Sequence, residues 1–509
     1  MVGGRGDPDA VVIGSGPNGL VAACVLAGAG LDVLVLEAHE RRAGGALGSE
    51  EATLPGFVHD VGAAFFPWGT LSPALRSLPL AEHGLRWCLA PVESCHPAPD
   101  GSYACITRAL GAAPPDFGNA RDGERWKSIL RWYGSLEPQL IPMLLGSFPP
   151  PAGLIAGLGP RNLTRLATIF LASGRSLSER WFTTVAARRV LPGLALHADV
   201  GPDDRFGAGL GFILGMVATT GGYAVPHGGA RSIADALVGC LRARGGGLRL
   251  GARVVRVITG GGRARGVRLA DGTEIAARAV VADTDVVALL LDLVGREHLP
   301  GRVTNFMERY PRGWGTFKVD WALSGPVPWS AEPASRSAVV HAGDSIDDLS
   351  RFTAQVRSGA LPDHPYLVVG QQSVVDPSRA PPGNHTLWAY THVPSALPGG
   401  WAAHAERFGD RIDERIEGLA PGFKTRILAR RVVSPDQLQA MDANLVGGDL
   451  GGGSNAWHRQ LLFRPMFPYF RYRMPLDGLY LCSSYAHPGG GVHGMSGYNA
   501  AGRVVEDLA

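Results

Sequence analysis

Three glycines and one carboxylate near the start of the chain form the clearest chemical pattern. Gly14, Gly16 and Gly19 follow a short apolar run, and Glu37 lies 21 residues after Gly16. In this pattern the first glycine permits a tight turn, the second lets backbone N–H groups approach a pyrophosphate, and the third lets a helix pack closely on a strand. A carboxylate about 20 residues further on accepts hydrogen bonds from ribose hydroxyls. The spacing therefore predicts a dinucleotide-binding site.

Two buried strands and one helix must position these residues. Residues 10–15 and 31–37 are apolar enough to form buried strands, and residues 17–29 form a helix of small side chains between them. Pro17 and Asn18 open this helix, whose N-terminus directs the positive end of its dipole toward the phosphates. The pattern predicts a βαβ unit that begins a doubly wound, Rossmann-like parallel sheet.

Later segments carry the pattern of further sheet strands. Residues 253–258 alternate as a strand, residues 266–269 continue a hairpin, and residues 279–282 form another short strand. Residues 478–482 form a last strand, which a glycine-rich turn and a closing helix over 495–508 follow. The sequence therefore predicts an α/β fold whose nucleotide-binding sheet is assembled from discontinuous segments.

The domain organisation follows from these positions. Residues 1–85, 226–305 and 461–509 are predicted to form the discontinuous cofactor domain. Residues 86–225 and 306–460, with mixed helix and strand patterns, are predicted to form one inserted α/β substrate domain.

Several glycine-rich motifs outside the first turn carry a family resemblance. They are Gly44-Gly45, Phe57-Val-His-Asp60-Val-Gly62, Pro226-His-Gly228-Gly229, Val446-Gly-Gly-Asp-Leu450, Arg464-Pro465 and the run Gly478–Ala501 with His487, Gly491 and His493. Together they resemble the phytoene desaturase-like flavoprotein family, most closely its branch named pyridine nucleotide-disulfide oxidoreductase domain-containing protein 2. The resemblance implies FAD as the cofactor and the fold of the amine oxidase and carotenoid desaturase flavoproteins.

The resemblance also implies where FAD lies. Gly44 and Gly45 lie along the pyrophosphate, Val254 meets the adenine through its backbone, and the turn ending at His493 lies beside the isoalloxazine ring. A helix N-terminus there stabilises the anionic reduced flavin. The full predicted cofactor set is Gly14, Gly16, Pro17, Asn18, Gly19, Glu37, Gly44, Gly45, Val254, Gly491, Val492 and His493.

His487 and His493 are the catalytic candidates, because they flank the last glycine turn. Each acts either as a base or substrate-orienting donor, or as a structural group that holds the turn by hydrogen bonds to the backbone. Two residues depart from the family pattern: Tyr485 narrows the pocket beside the flavin, and Ala46 stands where carotenoid desaturases often carry an arginine. Phe65, Phe66, Trp68 and Tyr223 line an apolar pocket or belong to the core.

The predicted function is desaturation of a hydrophobic, isoprenoid-like or polyene-like small molecule by hydride transfer to flavin N5. Oxygen or a quinone reoxidises the flavin, since no second G-x-G-x-x-G follows a strand. Three alternatives stay open: a flavin-dependent isomerase or reductive cyclase of a polyene, an amine oxidase with Lys318 near the flavin, and a non-catalytic FAD-binding partner protein.

Composition excludes several other classes. Of 509 residues, 45% are hydrophobic and 18% charged, so the chain has ample apolar side chains for a core. A net charge of +3 without like-charge blocks excludes a nucleic-acid-binding protein. The six cysteines contain no C-x-x-C pair, which argues against a disulfide reductase, and no metal site is predicted.

The same sequence predicts a cytoplasmic protein. The N-terminus lacks the charged and apolar regions of a signal peptide. Prolines break the apolar stretch 138–160, which leaves peripheral contact with a membrane, or an oily entrance to the site, as its role. The oligomeric state is left open.

Overall fold

The structure is a computed structural model that describes residues 6–108 and 116–509. Its strands are β1 (Ala10–Ile13), β2 (Val33–Leu36), β3 (Ser49–Glu50), β4 (His59–Asp60), β5 (Trp87–Cys88), β6 (Val92–Pro97), β7 (Tyr103–Ile106), β8 (Val225–Pro226), β9 (Gly247–Arg249), β10 (Val254–Gly260), β11 (Arg263–Leu269), β12 (Glu274–Ala276), β13 (Ala279–Ala282), β14 (Gly315–Leu323), β15 (Ser337–Ala342), β16 (Leu367–Gly370), β17 (His385–Val393), β18 (Ile427–Val433) and β19 (Leu479–Leu481).

The α-helices are α1 (Pro17–Gly28), α2 (Pro73–Arg76), α3 (Ala120–Leu145), α4 (Ala152–Leu171), α5 (Gly174–Trp181), α6 (Val185–Arg188), α7 (Val190–Ala195), α8 (Gly207–Thr220), α9 (Arg231–Ala243), α10 (Gly301–Met307), α11 (Ile346–Arg357), α12 (Gln372–Val375), α13 (Ala405–Glu417), α14 (Pro435–Met441) and α15 (Met495–Leu508). A π-helix spans Ala288–Gly295, and short 3-10 helices span Arg296–His298, Glu332–Arg336, Pro377–Arg379, Trp401–Ala403, Lys424–Arg426, Val446–Gly448, Trp457–Arg459 and Leu461–Phe463.

The predicted parallel sheet is confirmed. It has five strands in the order β19-β13-β1-β2-β9, and every neighbouring pair is parallel. The central strand β1 is buried at all four positions, as a strand with helices on both faces must be. Val11 pairs with Val280 on one side and with Leu34 on the other, so strands that are distant in sequence share one core.

Small residues allow the helices to pack closely on this sheet. Helix α1 packs against α15 and α9. A Cβ atom at Gly497 of α15 would lie 1.9 Å from the backbone oxygen of Asn18 in α1, so only glycine permits this approach. The first and last helices of the chain therefore meet directly behind the glycine turn.

Two details of the sheet differ from the sequence prediction. Strand β9 is its fifth strand and was not predicted, because Gly247 and the glycines before it weaken the strand pattern. Strand β10, predicted as a further piece of the nucleotide-binding sheet, lies instead in a separate sheet β10-β11-β12, where it pairs antiparallel with β11 in the hairpin that the sequence predicts. Gly261 and Gly262, both with positive φ, form the turn that makes this hairpin.

A second sheet of seven strands has the order β18-β14-β17-β16-β15-β6-β7. All its pairings are antiparallel except that of β15 with β6. Strand β14, which lies between β18 and β17, is buried throughout, and Lys318 there lies opposite Tyr390 of β17. Helices α3 to α8 lie between β7 and β8 in the chain. The predicted domain bounds stay a prediction.

The apolar stretch 138–160 is split between two helices. Pro138 and Pro142 lie inside α3, and α4 is kinked at Gly159, just before Pro160. Across residues 6–108 and 116–509, no helix is both long enough and apolar enough to cross a membrane. The cytoplasmic location and the contact with a membrane surface stay predictions.

Candidate functional site

A cavity of about 1800 Å³ is lined by residues from both large sheets. Most of the predicted site residues line it: Gly14, Gly16, Pro17, Asn18, Glu37, Gly45, Val254, His487, Gly491, Val492 and His493. Gly19 and Gly44 are not in this wall, and they shape it through their backbone N–H groups, which donate to Asp283 and Ser15. The residues predicted from separate motifs therefore meet around one space.

The first glycine turn leaves a backbone surface free of side chains. Gly14 has φ of 90°, and a Cβ atom there would lie 2.8 Å from the backbone oxygen of Asp283. A Cβ atom at Gly16 would lie 2.5 Å from Asp283 Oδ2. Helix α1 starts directly after Gly16, with Pro17 in its first turn. The positive end of a helix thus meets the cavity beside glycine backbone, which a phosphate can approach.

Asp283, at the end of β13, is a site residue that sequence reasoning missed. Its Oδ2 accepts a 2.8 Å hydrogen bond from Gly19 N. Burial, together with the nearby carboxylates of Asp442 and Glu37, raises the pKa of this carboxyl to about 7. A proton on Asp283 removes a negative charge beside the turn, which favours an anionic ligand there. The sequence signal for this role was an acidic residue directly after the short apolar strand at 279–282. In the structure that strand is β13, which pairs with β1.

Glu37 lies at the end of β2 and lines the cavity. Its Oε2 accepts hydrogen bonds from Ser15 N at 2.9 Å and Ser15 Oγ at 2.5 Å, and Oε1 accepts from His39 N at 2.7 Å. These bonds orient the carboxylate, and Oε1 keeps room for another donor. A ribose hydroxyl is such a donor.

Two arginines bring positive charge to this part of the cavity. Arg42 and Arg253 both line it, although Ala46 occupies the position at which the family pattern has an arginine. Ala46 cannot make the phosphate contact that an arginine at this position would make. The guanidinium groups of Arg42 and Arg253 bring positive charge to the same cavity instead.

The C-terminal glycine turn forms another wall. Gly489 and Gly491 have φ of 109° and 111°, and Gly494, with φ of 67°, begins helix α15. Arg464 is buried and donates to the backbone oxygens of Gly452 and Ser484 at 3.0 and 2.8 Å. The buried guanidinium therefore joins Ser484, in the segment that leads into the turn, to Gly452.

The two candidate histidines are neutral at pH 7. Burial, together with the positive charge of Arg464, lowers the pKa of His487 to about 4. Burial likewise lowers the pKa of His493 to about 4. His493 Nδ1 accepts a 3.0 Å bond from Met495 N, so the ring proton lies on Nε2. His493 is therefore arranged as a hydrogen-bond donor.

The remaining wall is mostly apolar and aromatic. Phe65, Phe66, Trp68 and Tyr223 line the cavity. Tyr485 also lines it, and its hydroxyl accepts from Arg312 at 2.5 Å and donates to the backbone oxygen of Asn444 at 3.1 Å, which fixes the ring.

Lys318 and the cysteines lie elsewhere. Lys318 is buried in β14 and paired with Asp320, and neither residue is in the cavity wall. The six cysteines are free thiols. Cys95 and Cys105 have sulfur atoms 3.1 Å apart on paired strands, and they also lie outside the cavity wall.

The described residues fit FAD. The glycine turn offers bare backbone and a helix N-terminus for a pyrophosphate, Glu37 offers a carboxylate for a ribose, and the second glycine turn offers a helix N-terminus and a neutral histidine donor. Small-molecule pockets usually measure about 300–1,000 Å³. The volume of about 1800 Å³ therefore has room for a dinucleotide and a second molecule.

Comparisons with known proteins agree with this geometry. Residues 12–78 match the NAD(P)-binding Rossmann-like domain family. The chain is 29% identical to pyridine nucleotide-disulfide oxidoreductase domain-containing protein 2 of Mus musculus, covering 98% of this chain and 94% of the relative. It is 26% identical to the phytoene desaturase (lycopene-forming) of Pseudescherichia vulneris, covering 98% and 99%.

The fold is also that of solved structures. A putrescine oxidase from a redesign of cofactor binding superposes with a TM-score of 0.62 at 17% identity, covering 98% of this chain and 99% of that chain. The mixed α/β fold with a Rossmann-like domain and the resemblance predicted from the motifs are thus confirmed: over almost its whole length the chain is a homologue of pyridine nucleotide-disulfide oxidoreductase domain-containing protein 2 and of the phytoene desaturases.

Proposed function

We propose that the chain is an FAD-dependent oxidoreductase that dehydrogenates a predominantly apolar small molecule. The observation that carries the proposal is the single cavity in which the Gly14–Gly16 turn, Glu37 and the Gly491–His493 turn meet an aromatic wall. FAD, when bound, supplies the acceptor for a hydride.

The residues of the chain bind and orient the reactants. Backbone N–H groups of the first glycine turn and the N-terminus of α1 bind the pyrophosphate, and Glu37 binds the ribose. Gly491, Val492 and His493 bind the flavin ring, and Nε2–H of His493 donates a hydrogen bond there. The aromatic wall excludes water from the space in which the substrate lies.

Oxygen or a quinone reoxidises the cofactor in this proposal. In its most specific form, the proposed reaction introduces a carbon–carbon double bond into an isoprenoid-like substrate. Isomerisation or reductive cyclisation of a polyene, amine oxidation and a non-catalytic role for the bound FAD are its rivals. Amine oxidation assisted by Lys318 is disfavoured, because Lys318 is paired with Asp320 outside the cavity wall.

Anaerobic bleaching of the FAD-bound protein tests the proposal. Apolar alkenes, alcohols and amines are added one at a time, and the loss of flavin absorbance is followed. We expect at least one apolar substrate to bleach the flavin and to yield a product two hydrogens lighter. Bleaching by amines alone would favour the amine oxidase, and a product isomeric with its substrate would favour the isomerase. Inertness toward the whole panel would favour the non-catalytic role.

Glu37→Ala is expected to weaken FAD binding about 10- to 100-fold. The change removes charge-assisted hydrogen bonds, each worth about 1.5–3 kcal/mol, and it also releases Ser15. The measurement is the dissociation constant of FAD for the apoprotein by flavin fluorescence. Glu40→Ala is the matched control, because Glu40 is exposed in the same loop. Equal affinities of the two variants would contradict the assigned role of Glu37.

His493→Ala is expected to slow anaerobic flavin reduction about 10- to 100-fold, since a preorganised donor beside developing charge contributes on that scale. His487→Ala is compared in the same assay, because both rings line the cavity. Stopped-flow absorbance at saturating substrate measures the rate. A histidine whose variant reduces FAD at the unchanged rate has only a structural role.

A further inference from the structure

Five polar rings form a distinct part of the cavity wall. We call His197, Tyr223, Trp388, Tyr390 and His392 the ring cluster, and all five line the cavity. Three of them alternate along β17 and therefore share one face of the second sheet. The ring centroids are 5.1 Å apart for Trp388 and Tyr390, 5.9 Å for Tyr390 and His392, and 6.3 Å for His197 and Tyr223. The centroids of His197 and Tyr390 are 6.2 Å apart, so the cluster is one continuous surface.

Three rings of the cluster carry polar atoms that lack a protein partner within the part of the chain that the structure describes: both ring nitrogens of His392, Trp388 Nε1 and the Tyr223 hydroxyl are buried and unpaired. Trp388 and Tyr223 each have an N–H or O–H group that can donate to a ligand. An unpaired buried donor costs about 1–3 kcal/mol, and proteins pair nearly all such groups. Because both side chains line the cavity, a bound molecule is the natural partner for their polar atoms.

Tyr390 adds a third group, which a buried chain of hydrogen bonds orients. Its hydroxyl lies 3.2 Å from His197 Nδ1, and His197 Nε2 lies 2.7 Å from His341 Nε2. The chain continues from His341 Nδ1 to Ser94 Oγ at 2.8 Å and from there to His96 Nε2 at 3.0 Å.

This chain gives Tyr390 two hydrogen-bonding states. Each neutral imidazole carries one proton, so every group in the chain donates to the next in one direction or in the other. In one direction Tyr390 donates to His197, and its oxygen accepts from a ligand. In the other direction Tyr390 accepts from His197 and donates to a ligand. A ligand that both donates and accepts is served by either state.

The ring cluster is uncharged at neutral pH. Burial lowers the pKa of His197 to about 3, and burial also lowers the pKa of His392. A carboxylate bound there would lose its hydration without gaining a cation from the cluster, which is costly. An ammonium group has no lone pair to accept from Trp388 Nε1. A neutral hydroxyl group carries no charge to desolvate, and it has lone pairs that accept from Trp388 Nε1.

We propose that the ring cluster is a binding site for a neutral hydroxyl group, so that the substrate is an amphiphilic alcohol with an apolar body. The proposal deepens the proposed function and rests on it, because it takes the molecule in this cavity to be the substrate. The hydroxyl accepts from Trp388 Nε1 and Tyr223 and donates to the Tyr390 oxygen, while the apolar body lies along the remaining wall.

Calorimetric titration of the FAD-bound protein with four ligands of one chain length tests the site. The ligands are 1-octanol, octylamine, octanoate and octane. We expect 1-octanol to bind at least about ten-fold more tightly than each of the others, the effect of one or two buried hydrogen bonds. Equal binding of 1-octanol and octane, or tightest binding of octanoate or octylamine, would overturn the proposal.

Variants that each remove one of the two donors locate the effect. Tyr223→Phe and Trp388→Phe should each reduce the preference for 1-octanol over octane several-fold and leave the affinity for octane within about two-fold. Tyr133→Phe is the matched control, because Tyr133 is also a buried tyrosine but is not in the cavity wall. An unchanged preference in both cluster variants would refute the site.

The binding experiment separates the two proposals. A preference for 1-octanol that persists while no ligand ever bleaches the flavin would leave the hydroxyl site intact and refute the dehydrogenase. Bleaching of the flavin by apolar alkenes, without tighter binding of 1-octanol than of octane, would support the dehydrogenase and refute the hydroxyl site.

Discussion

We expect Gly19→Ala to abolish stable binding of the proposed FAD cofactor and to lower the free energy of unfolding by about 3 kcal/mol or more. The added Cβ atom would lie 2.4 Å from the backbone oxygen of Gly14 and 2.9 Å from Asp283 Cβ. Backbone of the turn cannot move aside without opening the contact between β1 and α1, so a clash of this kind is among the larger effects of a single substitution. The hydrogen bond from Gly19 N to Asp283 is displaced by the same movement.

Gly502→Ala is the matched control for this prediction. Gly502 lies in α15, is exposed, and has no heavy atom within 4 Å of an added Cβ. The same chemical change there is expected to stabilise the helix by up to about 1 kcal/mol. Urea unfolding and flavin content measure both variants. A Gly19→Ala protein that unfolds like the parent and retains FAD would contradict the packing described for the turn.

Arg379→Met is expected to cost about 3–5 kcal/mol, because it leaves two buried carboxylates without their cation. Arg379 is fully buried, and it contacts Asp60 Oδ2 at 3.0 Å and Asp376 Oδ2 at 3.1 Å. It also donates to the backbone oxygen of Pro226 at 3.1 Å. The two carboxylates in turn accept from the backbone of Ala230 and Gly228. One side chain therefore ties together three segments that are distant in sequence.

Arg431→Met serves as the comparison, since Arg431 makes an ion pair with Glu50 in which both side chains are at least one-third exposed. Pairs of this kind contribute about 0–1 kcal/mol. Chemical unfolding of the two variants should differ by at least about 2 kcal/mol. Similar losses would show that the Arg379 cluster is not the structural junction that its burial indicates.

The local motifs of the cofactor site were predictable from the sequence, because a few adjacent residues determine them. The run from Gly14 to Gly19 and the acid at Glu37 describe one strand, one turn and one helix, and the structure places them as predicted. Asp283 was not predictable in the same way. Its role depends on the pairing of β13 with β1, which joins residues about 270 positions apart.

The ring cluster was harder to predict, because it too depends on contacts between residues that are distant in sequence. Trp388, Tyr390 and His392 show the period of two that is typical of a strand with one special face. Nothing in that pattern indicates that the face meets a cofactor cavity, or that His197 and His341 pack behind it. Only the order of the second sheet and the helices packed on it bring these rings together.

Identification of the cofactor in the purified protein tests most directly whether this cavity binds FAD. Relatives and the matched domain family carry pyridine nucleotide names, whereas the two glycine turns and Glu37 are proposed here to surround FAD. Mass spectrometry of the small molecules released by denaturation, together with the visible spectrum, identifies the cofactor and its stoichiometry. We expect one FAD per chain. A colourless protein that fails to take up added FAD but binds NAD(P) in this cavity would contradict it.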